Sequence, residues 1–499
     1  MDTTLNACHH LNMARSPLLS ILIPVVLVWL MVLPYASQSA VLDDLNLPEL
    51  GAGGGAPTSL NQEHALGQRF LRAVRAQTPN FDDPLLNDYL EHQIYRLASY
   101  SDLEDFRLYI VMINNPTINA FAAPGGILGI HHGLFLTATS VHEFSAILAH
   151  ELAHLSQRHF ARGLEDSRKA GVISIAGLLA GAIIAAYGGG EAGIAAMTTS
   201  QGLMQAQRLS YSRTRESEAD RVGINTLTRA GLDPRAMAYM FEHLDRATRT
   251  DGDQIPEFLR THPVTRNRIT DAYNQTESIT KRQWPLDLEF QMMRARAIAL
   301  STSNPRESTP LLTSRQGTDD VLNIATDYLS VLLMTAAGDL DKARALLSRL
   351  RADMPLNIPL HLAEVDLYLR AKQLDSANAL IDEALLINPG NYPLMIKKAD
   401  IMIAMDRPEI ASQLLTEATE AKPFNDAAWY QLAEARGLSG DIIGVHQARA
   451  EYFLLNGDLE RAEKQLSYAQ PLARQNFQLS ERIRNRLDEI RDLIDQVSR

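Results

Sequence analysis

Cysteine is almost absent from this chain of 499 residues: Cys8 is its only one. That excludes a disulfide framework and any thiolate zinc site, so a bound metal must sit on imidazoles and carboxylates. A basic excess is missing too. With 47 Lys+Arg against 59 Asp+Glu the formal net charge is −12. Phosphate recognition needs clustered cations, so nucleic acid is not an expected partner. Nor does the composition carry the marks of a disordered or fibrous chain, since 46% hydrophobic and 21% charged is ordinary globular usage. At ~100–200 residues per domain, two or three domains are expected.

Two strongly apolar stretches also lack charge. Residues 16–33 (SPLLSILIPVVLVWLMVL) follow Arg15 and precede the small residues YASQSA at 35–40. A positive flank, an apolar stretch and small residues make a secretory signal, here residues 1–40 with cleavage near Ser39 or Ala40. Pro24 and Pro34 disfavour the rival reading, an uncleaved anchor, although ~18 apolar residues just span a bilayer. Cys8 would leave with the signal. The Gly/Pro-rich 41–62 reads as a flexible spacer. The second uncharged stretch is 171–187 (GVISIAGLLAGAIIAAY). It is short for a membrane span and too apolar for a surface helix, which leaves a buried helix, a lid or a peripheral membrane contact.

After the spacer, and including the second stretch, 63–275 reads as one domain of helices with a few strands. Strands are expected at Arg107–Met112, Ile118–Phe121 and Ile127–Ile130, the last two flanking the turn Ala123-Pro124-Gly125-Gly126. Ile127–Ile130 is read as an exposed strand able to pair with an extended substrate. A helical linker and loop fills 276–320. From 321 to 490 the chain repeats: Ala343, Ala377 and Ala411 recur at 34 residues, as do Leu346, Leu380, Leu414 and Pro355, Pro389, Pro423. Small residues where helices touch and a proline closing each unit resemble the tetratricopeptide repeat, a solenoid whose concave face binds peptide or protein. Gly457-Asp458-Leu459 echoes Gly338-Asp339-Leu340 half a repeat out of phase, so an irregularity is expected near 440–457.

The chemistry concentrates at His150-Glu151-Leu152-Ala153-His154. On a helix, positions i and i+4 share a face, so both imidazoles reach one metal. Glu151 then lies beside the metal, placed to take a proton from an attacking water. Phe144, Ile147, Leu148, Leu152 and Leu155 supply the apolar stripe of such a helix. Catalytic zinc needs a third protein ligand. The metzincin spacing would put it at Phe160, which cannot ligate. His159, one residue off, reads as a surface or packing histidine. The acidic run Glu216-Ser217-Glu218-Ala219-Asp220 offers Glu216 as ligand and Asp220 as the group holding a ligating imidazole. Glu218 projects elsewhere on the helical wheel and reads as solvated. Acidic runs are usually solvated faces, so both readings of this segment stand at this point. Glu143, His131 and His132 read as structural.

The segment AHELAH (149–154), the later ExEADRVG (216–223), the upstream Asn119-Ala120-Phe121-Ala122-Ala123-Pro124-Gly125-Gly126 and Thr261-His262-Pro263 with Arg268-Ile269 together resemble the M48 family of zinc metalloproteases. The resemblance implies an α+β, mainly helical, gluzincin-type zincin domain followed by an all-α repeat solenoid. It implies one zinc ion per chain, held by His150, His154 and Glu216, with Glu151 and Asp220 as catalytic-site residues. It implies further that His262 can take the fourth zinc position and hold the enzyme latent. The order signal, peptidase, repeats is similar to periplasmic members of the family in Gram-negative bacteria. These imply cleavage of stalled or unfolded outer-membrane β-barrel proteins, chaperone-like help in their assembly, and contact with the barrel assembly machinery through the repeats. Two alternatives compete: a latent protease acting as a repeat-based chaperone or adaptor, and a membrane-anchored quality-control protease.

Overall fold

The computed structural model describes residues 59–169, 212–250, 257–280, 282–305 and 319–498. The signal, Cys8, the apolar 171–187 segment and most of the 301–319 loop lie outside the described residues. So does the spacer, apart from its last residues. There Ser59 already caps helix α1 (Leu60–Gln77), its side chain accepting from Gln62 N–H while Gln62 bonds back to the Ser59 N–H. Helix α1 therefore already takes in the last three residues of the stretch read as spacer. Asp83 caps α2 (Pro84–Ala98), with proline at the first helical position, where no N–H is needed.

Three strands follow: β1 (Tyr109–Ile113), β2 (Ala120–Ala123) and β3 (Ile127–His131). Their order is β1-β3-β2, with β1 parallel to β3 (Tyr109 opposite Ile127) and β2 antiparallel to it (Ala120 opposite Ile130). Gly125 and Gly126 turn the chain at φ 73° and 82°, a region open mainly to glycine. A Cβ at Gly126 would lie 2.1 Å from the Arg107 carbonyl oxygen. The expectation that Ile127–Ile130 is an exposed pairing strand is corrected here. The tight turn lays β2 along one side of β3 and the crossover lays β1 along the other, so β3 is the middle strand, buried throughout. Its backbone groups are already used in the two ladders. The sheet edge beside the helices is β2.

After α3 (Gly133–Thr137) comes α4 (Val141–Ser156), capped by Ser140 and buried along almost its whole length. It is apolar all round because it runs through the middle of the domain. It packs on β2, α2 and two later helices, α6 (Arg213–Arg229) and α7 (Ala236–Thr250). Between α4 and α6 the chain forms α5 (His159–Lys169), and after α7 come the short α8 (Glu257–Thr261) and α9 (Arg266–Thr276). The linker helix α10 (Leu288–Ser301) is not a tether. Its Phe290 is fully buried against Phe144, ring centroids 5.4 Å apart, and Phe135 lies 4.5 Å from Phe144.

The remainder is helical, as expected: α11 (Asp320–Ala337), α12 (Leu340–Asp353), α13 (Ile358–Arg370), α14 (Leu374–Ile387), α15 (Tyr392–Ala404), α16 (Pro408–Ala421), α17 (Asp426–Leu438), α18 (Ile442–Leu455), α19 (Leu459–Leu472) and α20 (Phe477–Ser498). Ala343, Ala377 and Ala411 are fully buried. Helix starts at Leu340, Leu374, Pro408 and Ile442 keep the 34-residue step, so the irregularity expected near 440–457 does not occur. The misleading echo has a local cause. Gly338 and Gly457 are both left-handed residues ending a helix (φ 88° and 77°) before an aspartate that opens the next one. They mark one turn type at two different places in the repeat.

The repeats pack directly on the peptidase half. Arg75 donates to the Phe424 carbonyl at 2.7 Å, Asn80 to Asp426 at 2.9 Å, and Lys422 pairs with Asp88 at 2.8 Å. Phe424 meets Tyr109 edge-on at 4.7 Å. A cavity of about 900 Å³ remains at this junction, lined by β1 and by Arg75, Asp82, Tyr392, Asp426 and Tyr452. No helix among the described residues is long and apolar enough to cross a membrane.

Candidate metal centre

One turn of α4 separates His150 from His154 and brings their Nε2 atoms to 3.0 Å. Helix α6 can approach because Gly223 faces α4, where a Cβ would press within 3.3 Å of the Ala149 backbone. That approach delivers Glu216, whose carboxylate lies 3.6 Å from His150 Nε2 and 3.5 Å from His154 Nε2. His262 follows α8. Its N–H donates to Phe258 O at 2.8 Å and its ring stacks on Phe258, with centroids 4.8 Å apart. This sets His262 Nδ1 at 3.3 Å from His150 Nε2 and 3.1 Å from Glu216 Oε1. One donor atom from each of His150, His154, Glu216 and His262 lies within 4.8 Å of all the others, and all four residues are buried.

A charged frame surrounds these four. His150 Nδ1 sits 3.0 Å from Asp220 Oδ1. Arg268 on α9 grips Asp220 with Nε and Nη2, both at 2.7 Å, and reaches Glu216 Oε2 with Nη1 at 2.8 Å. Burial pulls the His150 pKa down, but bonds to Asp220 and Glu216 outweigh it and hold it at about 9. Burial also pushes the Asp220 pKa up, and Arg268 more than reverses that. For His154 burial wins, and its pKa falls well below the ordinary value.

Glu151 stands apart. It is fully buried, burial raises its pKa, and neither oxygen makes a regular hydrogen bond. His262 Nε2 lies 3.6 Å from Oε1, and the backbone of Ala122 on β2 faces the carboxylate. Imidazole nitrogens 3.0–3.3 Å apart repel unless a proton or cation lies between them, and three imidazoles with one carboxylate are donors that suit zinc. The residues present therefore fit a metal ion, with a carboxylate of raised proton affinity beside it.

The structure decides two readings of the sequence more finely. Of the alternatives surface or packing, His159 takes the second. It is fully buried, with Nδ1 2.8 Å from His154 Nδ1 and Nε2 3.1 Å from Glu218 Oε2. Glu218 is accordingly not a merely solvated side chain, and it also accepts from Arg162 at 3.1 Å. The place of His159 depends on the end of α4 at Ser156. Arg158 then takes a left-handed conformation (φ 51°) that swings His159 back beneath His154. Glu143 accepts from Thr139 N–H at 2.8 Å, His131 lies against Thr117, and His132 stacks on Phe81, so none of the three joins the donors.

A buried His-Glu-x-x-His helix facing an acid on a neighbouring helix is the arrangement of a metallopeptidase. In keeping with it, residues 84–276 match the model of peptidase family M48, and tetratricopeptide repeats match at 334–389 and 368–436. The chain is 34% identical over 318 residues to the putative beta-barrel assembly-enhancing protease of Vibrio cholerae, covering 63% of this chain and 64% of the relative. It is 32% identical over 302 residues to the beta-barrel assembly-enhancing protease of Escherichia coli K12, covering 60% and 62%. With the mitochondrial metalloendopeptidase OMA1 of Schizosaccharomyces pombe it shares 27% identity over 248 residues, covering 47% and 69%. The matched region thus spans a little under two thirds of the length of the first two relatives.

Proposed function

We propose that the chain is a zinc-dependent endopeptidase. The observation that carries this reading is the convergence of four buried donor atoms, from His150, His154, Glu216 and His262, beside the buried carboxylate of Glu151. His150, His154 and Glu216 would hold one zinc ion per chain. Zinc, when bound, supplies a Lewis acid for the scissile carbonyl and makes an attacking water acidic near pH 7. Glu151 takes the proton of that water and passes it to the leaving amine. Its raised proton affinity suits the first task, and its burial keeps bulk water from competing for the second. Asp220, itself held by Arg268, orients His150. A cleft between β2 and the end of α4, lined by Ala122, Ala123 and His154, is the approach by which an extended substrate would reach Glu151.

The donors and Glu151 are at most 2% exposed. That favours a second, compatible reading in which His262 occupies the fourth position and holds the enzyme latent until a substrate displaces it. A fourth imidazole removes the open position that catalysis needs. By analogy with the names of its relatives, the substrates would be stalled outer-membrane β-barrel proteins of the periplasm, which the chain cleaves or helps to assemble. The repeat helices would then recruit these clients or the assembly machinery, and 171–187 would be a peripheral membrane contact.

Purified wild-type chain and Glu151→Gln, compared for zinc content and for hydrolysis of an unfolded β-barrel protein, test the proposal. One zinc per chain in both, with hydrolysis 10²–10⁴-fold lower in the variant, is the expected outcome. Absence of zinc from both would overturn it.

A further inference from the structure

The two histidines of the α4 motif are held from behind in different ways. His150 Nδ1 meets a carboxylate directly, at Asp220. His154 does not. Its Nε2 faces the other donors, and its Nδ1 meets a second imidazole, that of His159, at 2.8 Å. His159 Nε2 in turn lies 3.1 Å from Glu218 Oε2, and Arg162 Nη1 closes the row at 3.1 Å from the same oxygen. The row draws on three helices, α4, α5 and α6, and its two imidazoles are buried.

Its far end decides where the protons sit. An ionised carboxylate only accepts, so His159 carries its proton on Nε2 and donates it to Glu218. His159 Nδ1 is then an acceptor, and His154 must carry its own proton on Nδ1. That leaves the lone pair of His154 on Nε2, the atom facing the other three donors. Every member keeps its ordinary charge, and every donor meets an acceptor. The left-handed turn at Arg158 points the same way. A non-glycine residue at φ 51° is strained, and here the turn is tied down by Arg158 Nε donating to Glu63 at 2.9 Å.

We propose that His159, backed by Glu218, is a positioning residue that fixes the tautomer and ring orientation of His154 for metal binding. The proposal rests on the metallopeptidase reading above. Partners of this kind, when removed, cost 10–100-fold in metal affinity.

The test is zinc affinity of the full chain, measured by chelator competition, together with the visible spectrum of the cobalt-substituted protein. His159→Phe fills the same space without either hydrogen bond and is expected to weaken zinc binding about 10–100-fold and to shift the cobalt bands. His159→Gln can still accept from His154 and donate to Glu218, so it should recover most of the affinity, which a purely space-filling role would not explain. Should His159→Phe fail to fold, Glu218→Leu on the half-exposed rim carries the test, with a smaller loss in the same direction. Wild-type affinity and spectrum in both His159→Phe and Glu218→Leu would overturn the positioning role while leaving the metal centre intact. A wild-type chain that binds no zinc would overturn both.

Discussion

Among the described residues, the Asp83–Arg296 pair and the His150–Glu216 group are buried ionic clusters closed to different degrees. In the first, Asp83 accepts from Leu86 N–H at 2.9 Å, capping α2, and takes Arg296 Nε at 2.9 Å and Nη2 at 2.7 Å from the linker helix α10. Acid and base meet through two fitted bonds and a backbone cap, which ties the linker helix to the start of the domain. Burial pushes the Asp83 pKa up, but Arg296 outweighs it and leaves it below the ordinary carboxylate value. In the second cluster the bonds do not close. Imidazole nitrogens face one another, and Glu151 has no regular partner. A buried charged cluster that satisfies itself acts as structure. One whose donor atoms converge on a point has the make-up of a binding site.

That contrast can be broken at either end. The largest effect should come from Glu216→Ala, which removes the only carboxylate among the four donors. Zinc measured per chain is expected to fall to background and hydrolysis with it, while the Asp83–Arg296 pair is untouched. Next is Arg296→Met, which strands the Asp83 carboxylate in the core. A loss of about 3–5 kcal/mol in denaturant unfolding is expected, with zinc content unchanged, and Asp83→Leu added to it should restore much of the stability. Restoration by the double change would confirm that this cluster is structural; a collapse of zinc binding in it would erase the distinction between the two sites.

A smaller effect appears with pH. Because the folded-state pKa of Asp83 is depressed, its stabilisation is present above the unfolded value near ~3.9 and is lost as pH falls through the folded value. The Asp83→Leu/Arg296→Met chain should therefore show a flatter acid limb in unfolding midpoints measured between about pH 5 and pH 2. The smallest change expected is from His262→Ala, a several-fold rise in hydrolysis at unchanged zinc content. Unchanged turnover with zinc bound would remove the latency reading while sparing the endopeptidase.

What could be read in advance was whatever depends on neighbours along the chain. His150, Glu151 and His154 share a helix whose period places them, and Glu216 with Asp220 follows the same rule. The 34-residue step was legible because each repeat contacts mainly its own neighbours. His159 was not legible, since its position depends on one left-handed residue ending α4. The middle place of β3 was hidden too, because strand order depends on a crossover rather than on the strand's own residues.

The sequence by itself therefore determined the helical motif, its candidate ligands and the repeat period, all of them consequences of spacings of a few residues to a few tens. Only the tertiary structure decided how closely His262, 112 positions from His150, lies against it, and that Arg296 reaches Asp83 across 213 positions. It also decided that the linker helix is core and that β3 is the middle strand, with β1 and β2 at the edges of the sheet. Partners so far apart leave no periodic signature, because whether they meet depends on how whole helices and strands pack.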